Sequence, residues 1–193
     1  MLKSLMAGFS LVELMVAMVS GLGIVLCVSS LYAAQLRLDE RLIEQIRFQQ
    51  GVHMLIDVIE RDVRRAGYLA AGAAVGPMTW PGLYWSANCV VVAIDMNSDG
   101  IWAGEQELRG YRFHAGRQRL EVKSWLQRPV TPAAACQEAG WQDMTDGQIR
   151  ISAFDLTTVA PSHNILSMRV VAQDPHSSAL EVSDERHLLL RNW

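Results

Sequence analysis

One short stretch of the sequence has the oxygen-donor spacing of a calcium-binding loop. Residues 95–100 place carboxylate or amide oxygens on alternate residues and a glycine at the sharp turn. The match then weakens, because the twelfth position is Gln106, with a glutamate on either side. The candidate calcium ligands are Asp95, Asn97, Asp99, the carbonyl of Ile101, and Glu105 or Glu107. A polar turn between strands is the alternative, since Asn, Asp and Gly favour turns without any metal.

A second candidate is the lone carboxylate of Glu13, which lies inside an almost uninterrupted apolar run over residues 9–34. About 20 apolar residues are enough for a helix to cross a bilayer. An unpaired carboxylate in that helix costs at least ~2.5 kcal/mol, so we expect a partner for it. We therefore predict a membrane-spanning helix over 9–34, in which Glu13 has a function.

The residues before this run are short and basic and end in glycine. Residues 1–8 carry one positive charge, at Lys3, and Gly8 is followed by Phe9. The order Gly-Phe-Ser-Leu-Val-Glu-Leu resembles the leader junction of type IV prepilins. The resemblance implies that prepilin peptidase cuts after Gly8 and methylates the amine of Phe9. It also implies that Glu13 pairs with the terminal amine of a neighbouring subunit.

Two other interpretations of the N-terminal run stay open. A plain single-span anchor explains its length but gives no reason for Glu13. A secretory signal would be cut after its apolar core at a small-x-small site, and residues 28–30 would serve. The acid inside the core argues against that interpretation.

A charged amphipathic helix follows over residues 35–67, with Gly67 suited to end it. Its apolar residues recur at intervals of three and four and so share one face: Val52, Leu55, Ile56, Ile59, Val63 and Ala66. The basic pair Arg64 and Arg65 is interpreted as a solvated helix end. Residues 69–88, rich in Gly, Pro and aromatic residues, predict a loop.

Short strands are predicted from there to the C-terminus, with a second loop over 129–140. The predicted strands are 89–94, 108–114, 120–125, 148–156, 165–172 and 180–192. A helix followed by strands predicts an α+β fold, with the helix covering one face of an antiparallel sheet. The predicted organisation is a leader over 1–8, a membrane or filament-core half-helix over 9–34, a periplasmic half-helix over 35–67 and a head over 68–193.

Three cysteines are present, and two of them, Cys89 and Cys136, lie in the part expected to be exported. An even pair in an oxidising compartment most simply forms a disulfide, which contributes about 4 kcal/mol or less by loop closure. Zinc is the weaker alternative, because neither cysteine has a second Cys or His at ligand spacing. Cys27 lies in the apolar run, where a thiol behaves as a small hydrophobe.

The later sequence resembles the minor pilins called PilW or prepilin peptidase-dependent protein B, relatives of the J-type minor pseudopilin of type II secretion. The likeness includes the helix end over 61–68, residues 89–102 and the second cysteine before Gly140 and Trp141. It implies a type IV pilin-like fold and a minor pilin that helps to start pilus assembly, near the tip. A J-like pseudopilin is the alternative. The implied location is the inner membrane, with the head in the periplasm, and then the pilus or pseudopilus.

The resemblance implies as partners other minor pilins, the major pilin, prepilin peptidase and the inner-membrane assembly platform. A net charge of -3 without a basic cluster predicts no nucleic-acid partner. The sequence has no Gly-x-Ser-x-Gly elbow, phosphate-binding Gly loop or His-Glu-x-x-His motif, so we expect no enzymatic activity. No cofactor is expected other than the calcium considered above.

Overall fold

The computed structural model describes residues 10–70, 82–102, 106–126, 131–145, 147–159, 164–177 and 180–192. The chain divides into two compact units, Met1–Ile46 and Arg47–Trp193. Its helices and strands, in chain order, are α1 (Leu11–Arg65), β1 (Leu83–Ser86), β2 (Cys89–Ala93), β3 (Leu108–His114), β4 (Arg119–Ser124), α2 (Pro132–Ala135), β5 (Gln142–Asp143), β6 (Arg150–Thr158), β7 (Ile165–Gln173) and β8 (Glu181–Leu189).

The strands form two antiparallel sheets. The first has the order β1-β2-β3-β4-β5, and the second has the order β6-β7-β8. The predicted α+β class is confirmed. All six predicted strands form: 108–114 has the predicted bounds, whereas 89–94, 120–125, 148–156, 165–172 and 180–192 form with shifted ends. Strand propensity alone does not say that the last three strands form a sheet of their own.

Within the second unit, the predicted apolar stripe of α1 is buried, except that Leu55 is half-buried. Val52, Ile56 and Ile59 are at most 1% exposed, because their spacing turns all three towards the strands. They share one core with inward residues of both sheets, including Val90 of β2 and Phe154 of β6. This burial of apolar area is the main term that holds the helix on the sheets.

The helix ends where the sequence predicted. Gly67 has a φ of 77°, the left-handed conformation that glycine adopts at low cost. Its N–H donates to the carbonyl of Ala93 at 2.8 Å and so ties the helix end to β2. Gly82 also needs to be glycine, because a Cβ there would lie 2.6 Å from the Cα of Gly67.

Both predicted loops were wrong in part. The loop over 69–88 contains β1, which pairs residue by residue with the buried strand β2. The loop over 129–140 contains the short helix α2, where the Thr131 hydroxyl accepts from the Ala134 N–H at 3.3 Å and Pro132 occupies the first turn. The two-residue strand β5 was missed. β1 and β5 are too short for a period-2 pattern, and their partner strands hold them in place.

A buried acid adds a polar anchor to the apolar contact between α1 and β3. The carboxylate of Asp62, 7% exposed, accepts a hydrogen bond from the Tyr111 hydroxyl at 2.5 Å. Arg109 lies 3.4 Å from the same oxygen. Burial, and then the charge of Asp62, raise the pKa of Tyr111 well above its usual range, so the hydroxyl stays a donor.

Tyr111→Phe should lower the free energy of unfolding by about 1–3 kcal/mol, because Asp62 stays buried without its closest donor. Thermal unfolding of the full-length protein in detergent micelles, followed by near-ultraviolet circular dichroism, measures the effect. Tyr84→Phe is the matched control, since it removes the hydroxyl of a half-buried tyrosine elsewhere in the same sheet. Equal stability of the two variants would show that the Asp62 contact stabilises nothing.

Candidate functional site

The first unit carries a continuous exposed apolar surface. Every described residue from Ser10 to Arg47 is exposed, including Leu11 at 74% and Leu31 at 70%. By length and composition, α1 is long and apolar enough to cross a membrane. Exposed apolar patches on soluble monomers rarely exceed a few hundred Å². A lipid or protein environment must therefore cover this surface.

Glu13 lies in the first turn of α1. Its carboxylate accepts a hydrogen bond from the Ser10 N–H at 3.1 Å, one of the N–H groups that a helix start leaves without a partner. A negative charge is also favourable at this end of the helix dipole. The predicted cleavage and methylation residues, Gly8 and Phe9, lie outside the described residues. Glu13 thus presents an acid near the start of the apolar surface.

The predicted disulfide joins Cys89 on β2 to Cys136 after α2, with a Cα–Cα distance of 6.2 Å. Both cysteines are buried, and together with Ala135 and Trp125 they form a second core on the other face of the first sheet. The bond fastens the segment around α2 to β2. Cys27, the third cysteine, is free and exposed.

A buried ion-pair network beside the disulfide was missed by the sequence analysis. Glu121 is fully buried and accepts from Arg112 at 2.6 and 3.0 Å and also from Arg117. Arg112 in turn donates to the carbonyl of Cys136 and stacks over Trp141. Arg112 and Glu121 are directly opposite in the β3–β4 hairpin, so the predicted hairpin contained the signal for this pair.

The predicted calcium loop is organised by its own backbone. The carboxylate of Asp95, 2% exposed, accepts N–H bonds from Ala70, Asp99 and Gly100 at 2.9–3.2 Å. Burial raises the pKa of Asp95, but the backbone donors outweigh it, so the pKa lies below its ordinary value. The charge of this carboxylate is therefore already stabilised within the protein.

The other predicted calcium ligands also face N–H donors. Glu107 is buried and accepts from the N–H groups of Met96 and Asn97, and the Asp99 side chain accepts from Ile101. Asn97 and Asp99 also bond to each other. Glu105 lies outside the described residues, and among those described no three His, Cys, Asp or Glu side chains converge as metal ligands. The oxygens of Asp95, Asp99 and Glu107 thus have donors within the protein, and calcium binding stays a prediction of the sequence.

Asp95→Asn should lower the melting temperature at pH 7, because the N–H donors lose a charged acceptor. The folded-state pKa lies below the ordinary 3.8, so the stabilisation is present above that pH and is lost as pH falls through the lowered pKa. The difference in melting temperature between the parent and Asp95→Asn should therefore become smaller at acid pH. Melting curves of the full-length protein across pH measure it, with the exposed Asp39→Asn as control.

If the difference in melting temperature between the parent and Asp95→Asn stays constant down to acid pH, the charge of Asp95 is not the source of the stabilisation. The same curves test the calcium prediction. Added calcium chloride must raise the melting temperature of the parent but not that of Asp95→Asn. No rise in the parent would remove calcium as a ligand.

Comparison with known proteins places the sequence of this chain in a family. The family model described as prepilin peptidase-dependent protein B matches residues 41–188. The chain is 25% identical over 145 residues to prepilin peptidase-dependent protein B of Escherichia coli (strain K12), an alignment that covers 72% of this chain and 70% of that protein. No solved structure matches. Because the family match covers more than half of its length, the chain belongs to the prepilin peptidase-dependent protein B family.

Proposed function

We propose that this chain is a minor type IV pilin that helps to start pilus assembly, in a tip or priming complex with other minor pilins. The observation that carries the proposal is the exposed apolar half of α1 with one acid, Glu13, in its first turn. Membership of a family named for its dependence on prepilin peptidase supports it. The resemblance of the sequence to PilW points to the same role.

In the proposed sequence of events, the protein is first inserted in the inner membrane. Prepilin peptidase removes residues 1–8 and methylates the amine of Phe9. Residues 9–34 hold the subunit in the bilayer, with the domain from Arg47 onwards in the periplasm. The disulfide between Cys89 and Cys136 supports that side of the membrane, because such bonds persist in oxidising compartments.

Assembly then follows from the electrostatics of Glu13. A lone carboxylate in lipid costs at least ~2.5 kcal/mol, and a neighbour's terminal amine offsets that cost by pairing with it. Packing beside other subunit helices thus favours association, including that of the major pilin, on the inner-membrane assembly platform. The protein acts by binding and carries out no reaction of its own.

Substituting Glu13→Gln should reduce surface pili about tenfold, since losing ~1.4 kcal/mol of association free energy changes an equilibrium constant by that factor. Leader removal and membrane insertion should remain, because the apolar run is unchanged. Pili are counted by electron microscopy in a strain that carries only the variant, and processing is followed by mass spectrometry.

Glu40→Gln is the matched control, since it removes an exposed acid of the same helix beyond residue 34. Parental pilus numbers with Glu13→Gln would contradict the proposal. The alternative, a J-like pseudopilin, predicts unchanged pili and a loss of type II secretion in the same strain, so one secretion assay separates the two functions.

A further inference from the structure

A cleft of about 830 Å³ opens in the second unit, where three parts of the chain meet. One wall is the last two turns of α1, a second is the turn after β2 and a third is the end of β8. Its volume lies in the range of ligand-binding sites in proteins. Asp95 of the predicted calcium loop lies in its lining, and the proposed role in pilus assembly does not use the cleft.

The acids that line the cleft already have partners. Glu60 bonds to Arg64 at 2.7 Å and to Arg186 at 2.8 Å, and Asp57 lies 3.5 Å from Arg186. Asp95 is held by the backbone N–H groups described above. The carboxylates of the cleft are therefore already paired within the protein.

Arg186 is paired with these acids, but three other arginines of the cleft are in the opposite situation. In the part of the chain that the structure describes, the side chains of Arg61, Arg65 and Arg191 have neither an ion-pair nor a hydrogen-bond partner. Arg64 pairs with Glu60 through one terminal nitrogen, while its buried Nε has no partner. The cleft thus holds three guanidinium groups without a partner in the described chain and a fourth, of Arg64, whose Nε has none.

A helix C-terminus attracts cations, which accounts for Arg64 and Arg65 without any ligand. That explanation does not extend to Arg191, which follows β8 on the far wall. Moreover, the carbonyls of Arg65 and Ala66 at the helix end already accept from the Asn192 amide at 3.4 and 3.1 Å. Exposed arginines from the end of α1 and from the segment after β8 thus face one cleft.

We propose that this cleft binds carboxylate groups of an acidic segment of another polypeptide. Guanidinium groups present planar pairs of donors that match a carboxylate in two-point contacts. Tyr68 and Met96 at the same cleft are 44% and 46% exposed and offer contact to apolar side chains beside the acids. Guanidinium groups beside exposed apolar side chains fit a peptide that carries both acidic and apolar residues.

The binding chemistry is independent of pilus assembly. Only the identification of the acidic polypeptide with a neighbouring subunit rests on the proposed function. Glu13 lies in the other unit, so its substitution should leave peptide binding unchanged. Failure of one proposal is thereby distinguishable from failure of the other.

The test is a calorimetric titration of the full-length protein in phosphatidylcholine nanodiscs with a Leu-Glu-Glu-Leu-Glu-Glu peptide. The same peptide with Gln for Glu, and inorganic phosphate, are titrated separately. The acidic peptide should bind and the Gln peptide should not, and binding should weaken when salt rises from ~0.05 to ~0.5 M. The double variant Arg65→Ala, Arg191→Ala should bind about tenfold more weakly or worse, because it loses charge-assisted hydrogen bonds.

The matched control is Arg150→Ala, Arg169→Ala, which removes two exposed arginines from β6 and β7. It should bind like the parent, and melting curves should be alike since the substituted side chains are exposed. If Arg65→Ala, Arg191→Ala melts early, Arg65→Lys, Arg191→Lys replaces it, with intermediate binding expected. If the control melts early, Arg150→Lys, Arg169→Lys replaces it, with parental binding expected. Equal binding of both peptides, equal losses in both double variants, or binding of phosphate without the peptide would each overturn the proposal.

Discussion

The exposed apolar surface of α1 is the constraint on which the rest depends. Between Leu11 and Ile46 nothing in the described chain buries these side chains, whereas the same helix from Val52 onwards is packed into a core. Water is a poor environment for so large an apolar surface. A lipid or protein environment must therefore cover this surface, and in the proposed function the charge of Glu13 favours pairing with a neighbouring subunit over isolation in lipid.

The second unit combines two means of holding a helix on sheets. Apolar burial along Val52, Ile56 and Ile59 supplies most of the free energy, and it is not directional. The bond between Asp62 and Tyr111 fixes the rotation and register of α1 against β3, because a buried acid tolerates few arrangements. On the other face of the first sheet, the disulfide and the Glu121 network hold the segment around α2. Both faces of the first sheet are therefore covered by buried contacts.

Elements that follow from a local, repeating pattern of residues could be predicted from the sequence. Contacts between segments distant in the chain could not. The stripe of α1, its end at Gly67 and the strands β2, β3, β4, β6, β7 and β8 follow from local patterns. The strands β1 and β5 exist because β2 and β4 offer free edges, which no local pattern records. The arginine cleft was missed for the same reason. Arg65 is exposed in the last turn of α1, as predicted, and only the fold brings Arg191, 126 positions later, to the same cleft.

The native thiol of Cys27 gives the most direct test of the central claim. It lies within the apolar run and, with the other two cysteines bonded to each other, is the single free thiol. In intact membranes, a water-soluble maleimide should leave Cys27 unlabelled and should label it after denaturation in detergent, because the reacting thiolate does not form in lipid. Gln49→Cys in a Cys27→Ser background, exposed on the same helix, should react in both conditions. Labelling of Cys27 in membranes as fast as that of Gln49→Cys would contradict the account.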